Sequence, residues 1–162
     1  MLRIGGSSYQ ATLSRKALMV QTVAVGTDGS GTASKAVEFA IDLAARYKAN
    51  IVFISAYVPV SGARLKREGR DAPDELQWMI NPAEDVEATL RECEEQAEAR
   101  GLSWSSEARQ GDAAKVLVEL AAANGADVLV IGNKGMDRKV LGSVPNTVSH
   151  HAPCSVLIVK TT

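Results

Sequence analysis

Two short glycine-containing stretches hold the residues best suited to chemistry. The first is Gly26-Thr27-Asp28-Gly29-Ser30; the second begins Gly132-Asn133-Lys134-Gly135 and closes on Gly142-Ser143-Val144-Pro145-Asn146. Glycines let a backbone approach anionic oxygens without interference from a Cβ, and the free N–H groups of an opening helix, with its dipole, attract negative charge. Ser143 adds a hydroxyl, and Pro145 in a first helical turn gives up no needed N–H. Asp28 is a natural acidic partner for a ribose hydroxyl or for a divalent cation carried by a nucleotide, and equally a cap for the helix that follows it. Glycines also make ordinary turns, so the position of the two stretches in the fold decides between ligand binding and turn formation.

Alternating apolar patterns set that position. Val20, Val23, Ala24 and Val25 form a run that ends at Gly26, and Ala36, Val37, Ala40, Leu43, Ala44 and Tyr47 follow at helical spacing. Residues 51–57 read as a second strand, buried on both faces. Pro82 opens a helix with Val86, Leu90, Cys93 and Ala97 on one side and a solvated acidic surface elsewhere. Residues 102–108 form a third strand, and Gly111-Asp112 caps a helix through Val116, Leu117, Leu120 and Ala121 that stops at Asn124-Gly125. A fourth strand covers 127–131, a loop covers 132–141, a last helix opens at Gly142-Ser143, and a fifth strand covers 155–160.

This alternation predicts one α/β, doubly wound domain over residues 19–162, with a five-stranded parallel sheet of order 3-2-1-4-5 and four helices. In that order the sheet reverses between strands one and four, where open α/β sheets bind ligands, and both glycine stretches fall there. Residues 1–18 lack clean periodicity and are expected to be a flexible extension or an arm reaching a neighbouring subunit; residues 61–81, which include Trp78, are expected to be a mobile surface excursion. The β-branched run Val156, Leu157, Ile158 and Val159 belongs to an edge strand that a partner covers, or to an inner strand that needs none.

Composition removes several classes of function. With 46% hydrophobic and 23% charged residues and a formal net charge of -1, the 162-residue chain has an ordinary globular balance and no basic stripe for nucleic acid. No apolar run is long enough to cross a membrane, and no signal core opens the chain. Cys93 and Cys154 match neither zinc nor redox spacing and are expected to be buried reduced thiols, which suits the cytoplasm. His150 and His151, without partners for a triad or a metal, are expected to cap or pack the end of the last helix.

Taken together, the segments VAVGTDGS, VLVIGNKG and GSVPNTVSHHAPCSVLIVK, in this order of elements, resemble the universal stress protein family over residues 19–162. The resemblance implies a homodimer paired through the final strand, at Val156, Leu157, Ile158 and Val159, and in one branch an ATP site built on Gly-x2-Gly-x9-Gly-Ser/Thr. It maps onto Gly132, Gly135, Gly142 and Ser143, with Val144 and Pro145 following, and it places Asp28, beside Thr27, near ribose or phosphates and the Ala56 backbone at the adenine edge. Asn133 lies between the paired glycines. Here six residues, 136–141, separate Gly135 from Gly142 where the family pattern usually has nine, so the phosphate loop is short. Lys134, Arg138 and Lys139 either offset the lost backbone contacts or are solvated surface.

The function expected from these features is a stress-response regulator that binds an adenine nucleotide, ATP foremost, with Mg2+ held through Asp28 and an unidentified regulatory protein as partner. A nucleotide-free, dimeric interaction protein is the alternative, and a slow ATP hydrolase ranks third because no positioned nucleophile or arginine finger is evident.

Overall fold

The computed structural model describes residues 19–58, 82–133 and 141–160. The strands are β1 (Thr22–Gly26), β2 (Asn50–Tyr57), β3 (Trp104–Gln110), β4 (Val128–Asn133) and β5 (Ser155–Lys160). The helices are α1 (Gly31–Tyr47), α2 (Pro82–Ala99), α3 (Ala113–Ala123) and α4 (Ser143–His151). All four strand pairings are parallel, and the order is β3-β2-β1-β4-β5, as the alternation predicts. Residues 1–18 and 61–81 lie outside the described residues.

Strand alternation divides the core between two faces. Val23, Val25, Ile51, Phe53 and Val130 point to the face covered by α1 and α2. Ala24, Val52, Ile54, Leu129 and Ile131 point to the face covered by α3 and α4. Phe53, fully buried, is the largest side chain of this core; burial of such a side chain contributes about 1.5–3 kcal/mol. The inner face of α1 is mostly alanine (Ala33, Ala36, Ala40, Ala44), which lets its backbone lie close to β1 and β4.

Local chemistry explains each boundary. Ser30 caps α1, its Oγ accepting from the Ala33 N–H, and Lys48 ends the helix in the left-handed region at φ 54°. Asp112 caps α3 through the Lys115 N–H at 3.1 Å, as its position before the apolar run predicts. Asn124 ends α3 and donates from Nδ2 to Glu107 Oε1 of β3 at 2.7 Å, which fixes the helix end to the sheet.

Several strand boundaries differ from the sequence expectation. β1 begins at Thr22 rather than Val20, because the Asp127 carboxylate takes the Gln21 and Thr22 N–H groups at 2.7 and 2.9 Å. β3 begins at Trp104 rather than Leu102: the Leu102 N–H turns back to the Ala97 carbonyl past Gly101 at φ 67°, closing α2. β4 runs on to Asn133, so Gly132 and Asn133 are strand residues paired with Val159 and Lys160, not loop residues. His150 and His151 stand exposed in the last turn of α4.

Cys93 is buried but Cys154 only half-buried, so one of the two thiols departs from expectation. Burial, with Glu92 and Glu94 adding to it, pushes Cys93 up to about 11, and burial also raises Cys154. A thiol is inert until ionised. At about pH 8 a disulfide reagent is therefore expected to label the native protein far more slowly than a free thiol and the denatured protein at once; rapid labelling of native Cys93 would contradict its burial. Because Cys93 ionises near 9.0 when unfolded and near 11 when folded, stability is expected to fall as pH rises through that window.

Candidate functional site

The C-terminal ends of β1 and β4 frame a cleft of about 380 Å³. Its β2–α3 wall is apolar, made of Ile54, Ala56, Ala113 and Leu117. The opposite wall comes from the end of β4, with Ile131, Gly132 and Asn133, and from the start of α4, with Gly142, Ser143, Val144 and Pro145. Between the walls lie the β1 turn and the first residues of α1.

The turn is held by its own groups. The Thr27 N–H donates to the Ile54 carbonyl at 2.9 Å, extending the β1–β2 ladder by one bond. Asp28 Oδ1 accepts from the Ser30 N–H at 3.0 Å and from the Ser30 hydroxyl. Ser30 in turn caps α1, so Asp28 supports the cap instead of being it. The other Asp28 carboxylate oxygen is thereby left for a hydroxyl, or for a cation whose remaining ligands come from phosphates. Among the described residues Asp28 is the only charged group lining the cleft, and no cluster of three or more His, Cys, Asp or Glu could hold a metal on its own.

The two ends of helices that meet the cleft differ in kind. At the α1 N-terminus Ser30 caps the Ala33 N–H, whereas α4 starts at Gly142 with no side-chain cap. The first N–H groups of α4 belong to Ser143 and Val144; Pro145 contributes none, and the Asn146 N–H bonds to the Gly142 carbonyl at 3.0 Å. A helix start of this kind is a binding point for an anion.

The glycines do different work from what their pattern suggests. A Cβ on Gly132 would stand 3.0 Å from the Thr32 carbonyl of α1, so this glycine permits the helix to lie against β4. A Cβ on Gly26 would stand 2.7 Å from Leu117, so that glycine admits α3 from the other face. Gly142 has nothing nearer than Pro145 Cδ at 3.6 Å and Asn133 Oδ1 at 3.9 Å, and a side chain there would enter the cleft mouth.

The structure thus brings together Thr27, Asp28, Ala56, Gly132, Asn133, Gly142, Ser143, Val144 and Pro145. Gly135, with Lys134, Arg138 and Lys139, lies outside the described residues. Sequence reasoning missed Thr32, Ala33, Ile54, Ala113, Leu117 and Ile131. Ile54 was within reach, two residues before Ala56 on the same strand face; Leu117 follows Ala113 by one helical turn.

A model of the universal stress protein family matches residues 19–160. The chain belongs to that family. A universal stress protein of Mycobacterium tuberculosis is 35% identical over 149 residues, covering 88% of this chain and 97% of its own. One from Methanocaldococcus jannaschii is 28% identical over 150 residues, covering 88% and 83%. Among solved structures, a universal stress protein in complex with cAMP is 34% identical, covers 89% of this chain and 99% of its own, and superposes with a TM-score of 0.67. One from Arabidopsis thaliana with AMP bound, at 15% identity, TM-score 0.63 and coverage of 88% and 92%, shares the fold.

The Gly132 contact carries a direct consequence for stability. Gly132→Ala is expected to cost about 1–3 kcal/mol in chemical denaturation, because the opposing atom is main chain and cannot swing aside. Gly142→Ala is expected to leave stability within about 0.5 kcal/mol; equal losses in the two variants would refute the packing assignment.

Proposed function

We propose that this universal stress protein binds an adenine nucleotide in the cleft between the ends of β1 and β4 and acts as a ligand-responsive regulator. The observation that carries the reading is the meeting of an apolar wall, Ile54, Ala56, Ala113 and Leu117, with the uncapped start of α4 in one cleft. The relative solved with cAMP, at 34% identity, supports it. A flat base suits the apolar wall, with the Ala56 backbone at its edge; Asp28 and Thr27 meet the ribose, and the Ser143 and Val144 N–H groups take a phosphate. Gly132 and Asn133 line the phosphate side, and Gly135, outside the described residues, would join them by the family pattern. ATP would add charge that the described lining does not neutralise, since its one charged side chain is Asp28. Mg2+ carried by the phosphates, or Lys134, Arg138 and Lys139, would then supply the compensation.

We further propose a homodimer through β5. Val156, Leu157, Ile158 and Val159 are half-buried on the edge strand of the sheet, two on each face. An apolar edge of this kind is covered when a second copy extends the sheet. A regulatory partner would read the ligand state from this dimer.

Isothermal titration with cAMP, AMP and ATP with Mg2+ is expected to show saturable binding of at least one of them, and Gly142→Val to weaken it by about tenfold or more without loss of fold. No heat with any of the three would overturn the nucleotide reading. Light scattering is expected to report twice the chain mass, and Ile158→Lys to shift the protein toward monomer; a monomeric parent would refute the β5 interface.

A further inference from the structure

Ser55 carries a hydroxyl that is 1% exposed as a residue and has no hydrogen-bond partner among the described residues. A buried hydroxyl without a partner is destabilising, whereas an apolar replacement of similar shape is neutral or stabilising. The position of Ser55 suggests a use for the group. Ile51 and Phe53 of β2 point to the α1–α2 face, and alternation puts Ser55 on that same face, directly behind the β1 turn. Thr27 is its neighbour across the ladder, one step beyond the Gly26–Ile54 pair and fixed by its N–H to the Ile54 carbonyl.

The Thr27 side chain is committed only weakly. Its Oγ1 accepts from the Gly29 N–H at 3.3 Å, a long bond inside the turn. Gly29, at φ 74°, presents its α-carbon toward Thr89 of α2, whose hydroxyl is already given to the Asp85 carbonyl at 2.9 Å. The turn therefore holds one weakly committed hydroxyl that lines the cleft, with one buried donor behind it.

We infer that Ser55 is a positioning residue of the cleft: when a ribose or phosphate oxygen accepts from the Thr27 hydroxyl, Thr27 Oγ1 turns to accept from the Ser55 hydroxyl behind it. The inference rests on the nucleotide reading. In this exchange the ligand-free protein carries the unpaired hydroxyl and the liganded protein satisfies it, so part of the binding free energy comes from a group that never touches the ligand. The Thr27–Ser55 bond adds a side-chain tie between the β1 turn and β2 to the backbone bond from Thr27 to Ile54, which gives β2 a means of registering the ligand.

The test compares wild type with Ser55→Ala, using cAMP, AMP and ATP with Mg2+ as probes and thermal unfolding without ligand as the second measurement. Ser55→Ala is expected to unfold at the same temperature as wild type or about 2–4 °C higher, yet to bind about three- to tenfold more weakly. A group that served stability alone would not move these two readouts in opposite directions. Thr27→Val is expected to weaken binding too, and the double variant to bind no more weakly than Thr27→Val by itself, as coupled partners require. Unchanged affinity in Ser55→Ala overturns the inference, as does a lower unfolding temperature of the ligand-free variant, which would show the hydroxyl already satisfied. A wild type that binds none of the probes overturns the nucleotide reading together with the inference; a wild type that binds while Ser55→Ala binds equally well overturns the inference alone.

Discussion

The reversal of strand order between β1 and β4 governs the rest of the molecule. From these two strands the chain leaves for opposite faces of the sheet, α1 covering one and α4 the other, and among the described residues a cleft stands open at their ends. A glycine at the end of each strand then lets a helix close in from an opposite side. Gly26 admits Leu117 of α3, and Gly132 admits the Thr32 backbone of α1. The cleft lies between these two helices, and at Gly132 the close approach is to main chain.

Electrostatics in that cleft come from backbone more than from side chains. At the α1 start Ser30, supported by Asp28, takes the Ala33 N–H, whereas the α4 start has no side-chain cap. One helix start is thus capped from within the chain and the other is not. The difference follows from residue type at the cap position, a serine in one case and a glycine in the other.

The two edges of the sheet show a similar division. β3 carries Glu107 and Arg109, with Arg109 reaching Glu119 and Glu107 held by Asn124, and most of its residues are exposed. β5 carries four half-buried apolar residues in a row between Ser155 and Lys160. A charged, polar edge discourages pairing and an apolar one invites it, so the asymmetry between edges bears on how copies of the chain can meet.

Fold class, element order and most of the candidate cleft were legible in the residue pattern because local physics sets them. Alternating apolar periods choose strand or helix, Asp112 and the Asn124-Gly125 stop bound α3, and βαβ handedness limits the sheet to few orders. The glycine stretches were recognisable as switch-point segments for the same reason. What they do was not: Gly26 and Gly132 look like loop glycines, yet each faces an atom of a helix elsewhere in the chain, the Leu117 side chain or the Thr32 backbone. The apolar wall from α3, the transfer of the capping role from Asp28 to Ser30, and the stranded hydroxyl of Ser55 likewise depend on contacts between segments far apart in sequence or on atomic geometry within a turn. Local pattern reports which face of an element is buried; only the packed tertiary structure determines which atoms meet there and which polar group is left waiting.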